Sequence, residues 1–550
     1  MLVLASLGSW LPFAIVGFLI IFFSITFTLR YQQKRNRDYL VTVVCSVSLI
    51  IALFTASLLP TDVILVSFMK NPNGTFKEWT QNQTTRDEIQ NYVEIGYYSK
   101  SILLIFKGIN LTALYALVIA MAFLVNPFLF FYYEEREEQG EKLSKRICSA
   151  LKWTAGFLIF LILLIILGIF VPQLATLPSD NSTSEWDNVK YLIYHFDSSR
   201  VEDSISFSIF TLSIIGFLLL TIYTGYGSIA CPLSMIRGKR SARLQQQTIE
   251  EQCADIEDQI KTIKTKYPRY AKMPPQEKRR LETLEQKQEA LTRNAQSIKV
   301  VRRSLFFKCR FLYRPLQIVL GILLLLFALL IFISLLLSNI NKCIHFINFK
   351  QIYAQGNKTL PNPIDIIITW TGKFYPVSYI VLSLLLTYII ATSLYGLQQL
   401  GIWFLWIRMY RFSRGRTKPQ AILMLSSLMM FIVVAINAFV YLLIPQYSIY
   451  GDQHYSAVVN NGTQTVEICT QFVSTDDCQM TVMGRIILRF FYKVWFFGAV
   501  YFLLSWLFLI VFLIGCIAKI VRGRESNIQE FTTDRLFDDD NDDEDNPLIQ

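Results

Sequence analysis

Long runs of apolar residues, separated by polar connections, dominate the hydrophobic pattern of this chain. A helix needs about 20 mostly apolar residues to cross about 30 Å of hydrocarbon. Nine runs reach that length, near residues 8–29, 39–60, 106–131, 153–172, 205–229, 315–338, 377–399, 420–444 and 487–517. The pattern therefore predicts an all-α polytopic membrane protein with about nine transmembrane helices.

The first run is predicted to be retained as a span. It begins within ten residues of Met1, has no basic region before it and no convincing small-x-small cleavage site after it. A secretory signal peptide would show both features.

The same pattern divides the chain into four parts. Residues 1–229 hold the first five spans, and residues 230–314 form a polar insert. Residues 315–517 hold the last four spans, and residues 518–550 form an acidic tail predicted to be disordered. Apolar residues make up 53% of the chain and charged residues 17%, a balance that also favours a membrane protein over a soluble one.

Basic residues in the short connections predict the orientation, because Lys and Arg resist translocation. Five basic residues precede the eighth run, namely Arg408, Arg411, Arg414, Arg416 and Lys418. Residues 445–484, which follow that run, contain none. Nine crossings then place the N-terminus in the lumen and the C-terminus in the cytosol.

Glycosylation sequons agree with this orientation, since they are used only on the translocated side. Five N-x-S/T triplets lie in loops predicted to be lumenal, and their asparagines are Asn73, Asn82, Asn181, Asn357 and Asn461. A sixth, at Asn110, lies in or beside the third run, too close to the bilayer for use. The sequence therefore predicts a glycoprotein.

Two cysteines share the last predicted lumenal loop. An oxidising compartment would permit a disulfide between Cys469 and Cys478, and the alternative is a pair of free thiols. Cys148, Cys253 and Cys309 lie in predicted cytosolic segments.

The insert is strongly basic. Residues 237–314 carry 20 Lys or Arg and 9 Asp or Glu, a net charge of +11 that equals the formal charge of the whole chain. Helical apolar stripes at Leu244, Ile249, Ile256, Ile260 and Ile263, and at Leu281, Leu284, Leu291 and Ile298, predict a cytosolic antiparallel hairpin. Anionic membrane lipid, a protein partner and simple solvation remain alternatives for its charge. No base-reading motif indicates nucleic acid.

Catalytic motifs are missing from the sequence. It contains no G-x-x-x-x-G-K-[ST], H-E-x-x-H, C-x-x-C or Ser nucleophile elbow, so we expect neither an enzyme nor a metal centre. His195, His345 and His454 lie in three different predicted lumenal loops and are expected to face solvent.

Ionisable residues are sparse within the predicted spans. No run has Asp or Glu in its middle, which disfavours a self-sufficient proton antiporter or an autonomous pump. Asp62, Lys107, Arg489 and Lys493 lie near lumenal ends. We expect these side chains to snorkel to the interface rather than to bind a substrate. Facilitated passage, an accessory subunit for a separate motor, and a receptor or scaffold remain.

Several stretches of the chain resemble the limb-region-like membrane proteins. The most characteristic is GIWFLWIRMYRFSRGRTKPQ (401–420). Others are LLPTDVILVSFMKNPNGTFKEW (58–79), FYYEE (131–135), STSEWDNVK (182–190), YGSIACPLSMIRGKRSA (226–242), PQYSIYGDQHY (445–455) and FYKVWFFGAVYF (491–502). They run in order from the second span to the ninth, so the resemblance covers most of the chain.

The resemblance implies nine spans, a lumenal N-terminus and a role in moving cobalamin (vitamin B12) from lysosome to cytosol. It also implies a lysosomal ABC transporter and a cytosolic cobalamin chaperone as partners. Cobalamin would be a transported or bound ligand rather than a covalent cofactor, and no residue is assigned to contact it. Whether the chain is the exporter or an escort stays open, and a receptor or endocytic scaffold is the alternative, since other members act in that way.

The end of the tail resembles a sorting signal. Glu544, three intervening residues, and Leu548 with Ile549 match the acidic dileucine pattern that clathrin adaptors read on lysosomal cargo. Neighbouring carboxylates repel one another and would keep the tail extended. We expect a lysosomal membrane protein that passes through the endoplasmic reticulum and plasma membrane in transit.

Overall fold

The computed structural model describes most of the membrane-spanning part of the chain. The described residues are 2–33, 38–71, 73–77, 80, 117–137, 143–174, 200–238, 242–267, 274, 278, 281, 283–285, 288, 292, 310–344, 360–372, 377–404, 407–410, 412, 417–458, 464–469, 477–484, 487 and 495–521.

Helices account for nearly all of the described structure. They are α1 (Leu2–Tyr31), α2 (Tyr39–Phe68), α3 (Asn126–Glu137), α4 (Leu143–Leu174), α5 (Arg200–Arg237), α6 (Ala242–Lys266), α7 (Arg310–Ile344), α8 (Pro363–Gly372), α9 (Val377–Leu400), α10 (Pro419–Leu443), α11 (Pro445–Tyr450) and α12 (Trp495–Val521). A π-helical turn, Met121–Val125, leads into α3.

Nine helices among the described residues are long and apolar enough to cross a membrane, which confirms the prediction of about nine spans. They cover Ala14–Tyr31, Tyr39–Ile64, Leu117–Glu135, Leu143–Gly168, Phe207–Arg237, Arg314–Ile344, Val377–Leu400, Pro419–Leu443 and Phe496–Val521. The third predicted run, near residues 106–131, lies outside the described residues up to residue 116.

Two short antiparallel hairpins, which the sequence analysis did not predict, also occur among the described residues. Strands β1 (Ile402–Phe404) and β2 (Ile407–Tyr410) form the first, and β3 (His454–Val458) and β4 (Gln464–Ile468) the second. Each lies in a connection between spans.

The chain forms two compact units. The first comprises Met1–Ser228 and Ala328–Gly515, and the second comprises Ile229–Phe327 and Cys516–Gln550. The second unit therefore contains the insert, the tail and the ends of the helices that lead into them.

Helix α10 is the centre of the first unit. Nearly all of its residues are buried, whereas α1 and α4 present many exposed apolar side chains, as lipid-facing helices do. Ile422 and Leu423 of α10 pack with Val41 and Cys45 of α2 and with Leu129 of α3.

Polar side chains join the same three helices. The hydroxyl of Ser48 donates to Oδ1 of Asn126 over 3.1 Å, and Nδ2 of Asn126 lies 3.5 Å from the hydroxyl of Ser426. Hydrogen bonds between membrane helices each contribute about 1 kcal/mol. They fix the rotation of α2, α3 and α10 about their axes.

Two glycines allow α5 and α9 to touch backbone to backbone. A Cβ on Gly227 would overlap the carbonyl oxygen of Thr392, and a Cβ on Gly396 would overlap that of Tyr223. Small residues permit such close approach of membrane helices. The hydroxyls of Thr224 and Ser393 share a 2.6 Å hydrogen bond at this crossing.

In the second unit, α6 packs against helical residues of the following segment. Ile260 and Ile263 bury themselves against Leu281 and Leu284, and Lys264 pairs with Glu285 over 2.8 Å. The four apolar residues belong to the two predicted apolar stripes. The cytosolic antiparallel hairpin stays a prediction, because the connection between its arms lies largely outside the described residues.

Candidate functional site: a polar cap at one end of the first unit

A polar cap covers the end of the first unit where α2, α8 and α10 finish. We define the cap as the described residues of 69–80, 445–469 and 477–484, together with Asp62 and Ser67 of α2 and Gly372 of α8. It contains α11 and the β3–β4 hairpin. Two of the stretches that carry the family resemblance, 58–79 and 445–455, meet here.

Asp62 holds the start of a short helical segment in the cap. Its Oδ1 accepts from the Val482 amide over 3.3 Å and its Oδ2 from the Met483 amide over 3.0 Å. The Thr481 hydroxyl accepts from the next amide, that of Gly484. First-turn amides have no partner within their own helix, and a carboxylate both satisfies them and complements the helix dipole.

The prediction that Asp62 snorkels to the interface is therefore wrong. Only 4% of the residue is exposed, because its carboxylate faces backbone amides distant in sequence rather than water. Lys107, Arg489 and Lys493 lie outside the described residues.

Ser67, one helical turn further along α2, binds the loop after α11. Its hydroxyl donates to the Val63 carbonyl over 2.7 Å and accepts from the Asp452 amide over 3.0 Å. The Asp452 carboxylate lies directly against Gly372 at the end of α8. Burial raises the pKa of Asp452 above its usual value, and nearby His454 partly opposes that shift.

Lys70 is a buried cation that the sequence analysis did not single out. Its Nζ donates to the His454 carbonyl over 3.0 Å and lies 4.8 Å from the centroid of the Phe76 ring. The residue is only 6% exposed. Its place as a basic residue within a stretch of family resemblance was the available signal. His454 itself is half-buried, not solvent-facing as expected.

Gln453 organises the disulfide loop. Its side-chain amide donates to the Tyr450 and Gln479 carbonyls, and its Oε1 accepts from the Gln479 amide over 3.1 Å. Its own carbonyl accepts from the Cys469 amide over 3.0 Å. Cys469 and Cys478 are bonded to each other, with 5.9 Å between their Cα atoms, and both are buried.

Asn73 is the one sequon asparagine among the described residues. It is exposed in a tight turn, where the Gly74 amide donates to the Asn71 carbonyl. Gly74 has a φ of 81° and packs against the backbone of Tyr455, a position that a side chain would obstruct.

The other predicted site residues lie outside the described residues. These are the sequon asparagines Asn82, Asn181, Asn357 and Asn461, the sorting residues Glu544, Leu548 and Ile549, and the histidines His195 and His345.

A second polar cluster closes the opposite end of the same helices. Gln32, fully buried, donates to the Asp38 carbonyl and accepts from the Thr42 hydroxyl over 2.6 Å. The Thr417 amide donates to the Tyr31 carbonyl over 3.2 Å. This cluster contains residues of the 401–420 stretch.

The two clusters together fix the relative direction of α2 and α10. Both helices begin beside Thr417, and both end beneath the cap, so they run parallel. Parallel spans are separated by an even number of crossings, as the predicted second and eighth spans are.

The polar side chains of the cap attach loops to the ends of helices. Its buried polar side chains bond mainly to backbone groups of other segments, which holds the extramembrane loops on the helix ends. Across the described ranges, no group of three or more His, Cys, Asp or Glu side chains is placed to hold a metal ion.

Comparison with known proteins agrees with the fold. A family model described as LMBR1-like membrane protein matches residues 9–309. The chain is 35% identical to the lysosomal cobalamin transport escort protein LMBD1 of Xenopus laevis, over 98% of each chain. It is also 35% identical to those of Mus musculus, over 97% of each, and Homo sapiens, over 97% of this chain and 96% of the relative. No solved structure matches the chain. The chain therefore belongs to the family of LMBR1-like membrane proteins.

Proposed function

We propose that this protein serves the export of cobalamin from the lysosome as an escort for a separate transporter. The observation that carries the proposal is its similarity, over nearly the full length of both chains, to proteins named lysosomal cobalamin transport escort proteins. Similarity of that extent covers nearly all of the chain.

The geometry of the first unit supports an escort rather than an independent carrier. A carrier must rearrange its helices to alternate access, whereas the contacts here hold both ends of α2 and α10 to extramembrane segments. Loops anchored on the helix ends suit a protein that presents binding surfaces. The named relatives are transport proteins rather than enzymes, and we propose no catalytic role.

The partners belong to the same proposal. A lysosomal ABC transporter would supply the energy, and a cytosolic cobalamin chaperone would receive the vitamin. The N-terminus and the cap would face the lumen and the tail the cytosol. The sequons, including exposed Asn73, would carry glycans, and the Cys469–Cys478 bond would persist in that compartment. A clathrin adaptor would read Glu544, Leu548 and Ile549.

Reconstitution separates an escort from a carrier. Liposomes are loaded with labelled cobalamin and contain either the purified full chain alone or the chain together with the lysosomal ABC transporter. We expect no flux from the chain alone, and in cells lacking the chain we expect the ABC transporter to be lost from lysosomes. ATP-independent flux through the chain alone, with the transporter still lysosomal in those cells, would contradict the escort role.

A further inference from the structure

Helix α8 is held at the ends of the membrane-spanning helices. Just before it, Nδ2 of Asn362 donates to the carbonyl of Leu443, the last residue of α10, over 2.6 Å, and its Oδ1 accepts from the hydroxyl of Ser334 in α7. At the other end of α8, Gly372 packs against the Asp452 carboxylate of the cap. The ten residues of α8 extend about 15 Å, too short to cross the bilayer. Helix α8 therefore lies at the level where spans end.

Helix α8 has a buried face and an exposed apolar face. The buried residues are Ile364, Asp365, Ile368 and Thr371. Ile366, Ile367 and Trp370 are instead 55%, 41% and 59% exposed. Their spacing places them on one side of the helix. Within the sequence of α8, PIDIIITWTG, the one ionisable residue is the buried Asp365, so the exposed face carries no charge.

The next helix, α9, shows that lipid reaches this level. It begins five residues after α8 ends, and α8 packs against it. Val377, Ile380 and Leu384 of α9 are 39%, 52% and 60% exposed. They follow one another at helical spacing from the first residue of the span, as a lipid-facing stripe does. Lipid that covers this stripe therefore extends to the end of the span beside α8.

The amino acids of the exposed face suit the boundary between lipid and water. Tryptophan is enriched at that boundary, and helices with one apolar face lie in its plane. We propose that α8 lies flat in the bilayer interface on the side of the cap, with Ile366, Ile367 and Trp370 inserted among the lipid chains. Neutral lipid suffices, since the face has no basic residue to select an anionic headgroup. The contact fixes the depth of the cap relative to the membrane and does not depend on the proposed role in cobalamin export.

Strand β4 of the cap provides a contrast. Its Val466 is 51% exposed, close to the value for Ile366. Both neighbours of Val466, Thr465 and Glu467, are exposed as well. A carboxylate is disfavoured in lipid, so we assign this strand to water. Val466 is therefore a matched control for Ile366.

Photolabelling from the lipid tests the position of α8. The full chain is placed in phosphatidylcholine nanodiscs in which a small share of the lipid carries a diazirine on its acyl chain, close to the glycerol, and labelled residues are mapped by mass spectrometry. We expect label on the three exposed residues of α8 at least about fivefold above that on Val466. A diazirine at the end of the acyl chain should favour Leu384, about 10 Å further along α9 than its first residue, over Ile366.

A charged substitution tests the same face. Ile366→Glu should lower the label on Ile367 and Trp370 at least about threefold, because a carboxylate resists insertion. Val466→Glu, at a position of similar exposure, should leave that label unchanged. The labelling pattern of the unmodified chain is decisive even if a variant fails to fold.

Three results would overturn the proposal. One is label on α8 no stronger than on Val466 while Leu384 is strongly labelled, which would remove the face from lipid. Another is stronger label on Ile366 from the chain-end diazirine than from the one near the glycerol, which would place α8 inside the hydrocarbon core. The last is a diazirine amino acid in place of Ile366 that joins a second copy of the chain rather than lipid, which would make the face a protein interface.

Discussion

Asp62 shows how one buried charge can hold a distant segment. Its carboxylate binds two amides more than 400 positions later in the chain, at the start of a helical segment. Hydrogen bonds to charged groups contribute about 1.5–3 kcal/mol, and an unsatisfied buried amide costs about 1–3 kcal/mol.

We therefore expect Asp62→Ala to lower the free energy of unfolding by about 2–4 kcal/mol. Thermal unfolding of the purified protein in detergent measures the change. Glu467→Gln is a matched control, because the exposed Glu467 carboxylate bonds to the Tyr455 hydroxyl at the surface of the cap. Equal unfolding temperatures for the two variants would contradict the role assigned to Asp62.

Asp452 makes the stability of the cap depend on pH. Burial raises its pKa, so the folded protein disfavours the ionised carboxylate, and His454 only partly relieves this. A carboxyl group with a raised pKa destabilises the fold at neutral pH. That cost disappears as the pH falls through the raised value, because the native state then binds the proton more readily than the unfolded chain does.

Asp452→Asn should consequently stabilise the protein at pH 7, and its advantage should shrink as the pH falls towards the ordinary pKa of an aspartate. Unfolding temperatures at pH 7 and pH 5 measure this difference. An advantage that stays constant with pH would rule out titration of Asp452 as its cause.

At the scale of elements, the α5–α9 crossing depends on the absence of a Cβ at its glycines. Gly396→Leu would drive a side chain into the Tyr223 carbonyl, and overpacking of this kind costs about 1–3 kcal/mol or more. We expect a several-fold loss of monodisperse protein in size-exclusion chromatography. Gly156→Leu in α4 is the control, since a Cβ there meets no atom within 4 Å. Equal yields of the two variants would show that α5 and α9 tolerate a wider separation at this crossing.

The elements could be predicted from sequence, whereas their contacts could not. A span must satisfy its own backbone and present about 20 apolar residues to lipid, so each span leaves a local signal. The bonds of Asp62 to Val482 and of Lys70 to His454 leave none, because each joins residues that a spacing rule cannot relate. Strands of three to five residues in polar connections are similarly hard to see.

The basic insert and the disulfide pair were found for the opposite reason. Net charge, apolar stripes and two cysteines within one loop are properties of contiguous sequence.

Lys70 was missed because a lone Lys at the end of a span usually faces water. Only the fold shows that it lies beneath β3.

At the scale of the whole molecule, the orientation proposed above predicts which segments are sheltered in sealed lysosomes. Added protease should remove an epitope tag placed after Gln550, whereas glycans on Asn73 should survive until detergent is added. Asn73→Gln should increase the gel mobility of the protein by the equivalent of one glycan. A protected C-terminal tag together with exposed glycans would reverse the orientation.

The retention of cobalamin by lysosomes tests the central claim most directly. Cells lacking this protein are fed labelled cobalamin bound to its carrier, and label is measured in purified lysosomes and in cytosol. We predict that label accumulates in the lysosomes and that re-expression of the full chain restores its passage to the cytosol. Normal cytosolic delivery in cells lacking the protein would contradict a role in cobalamin export.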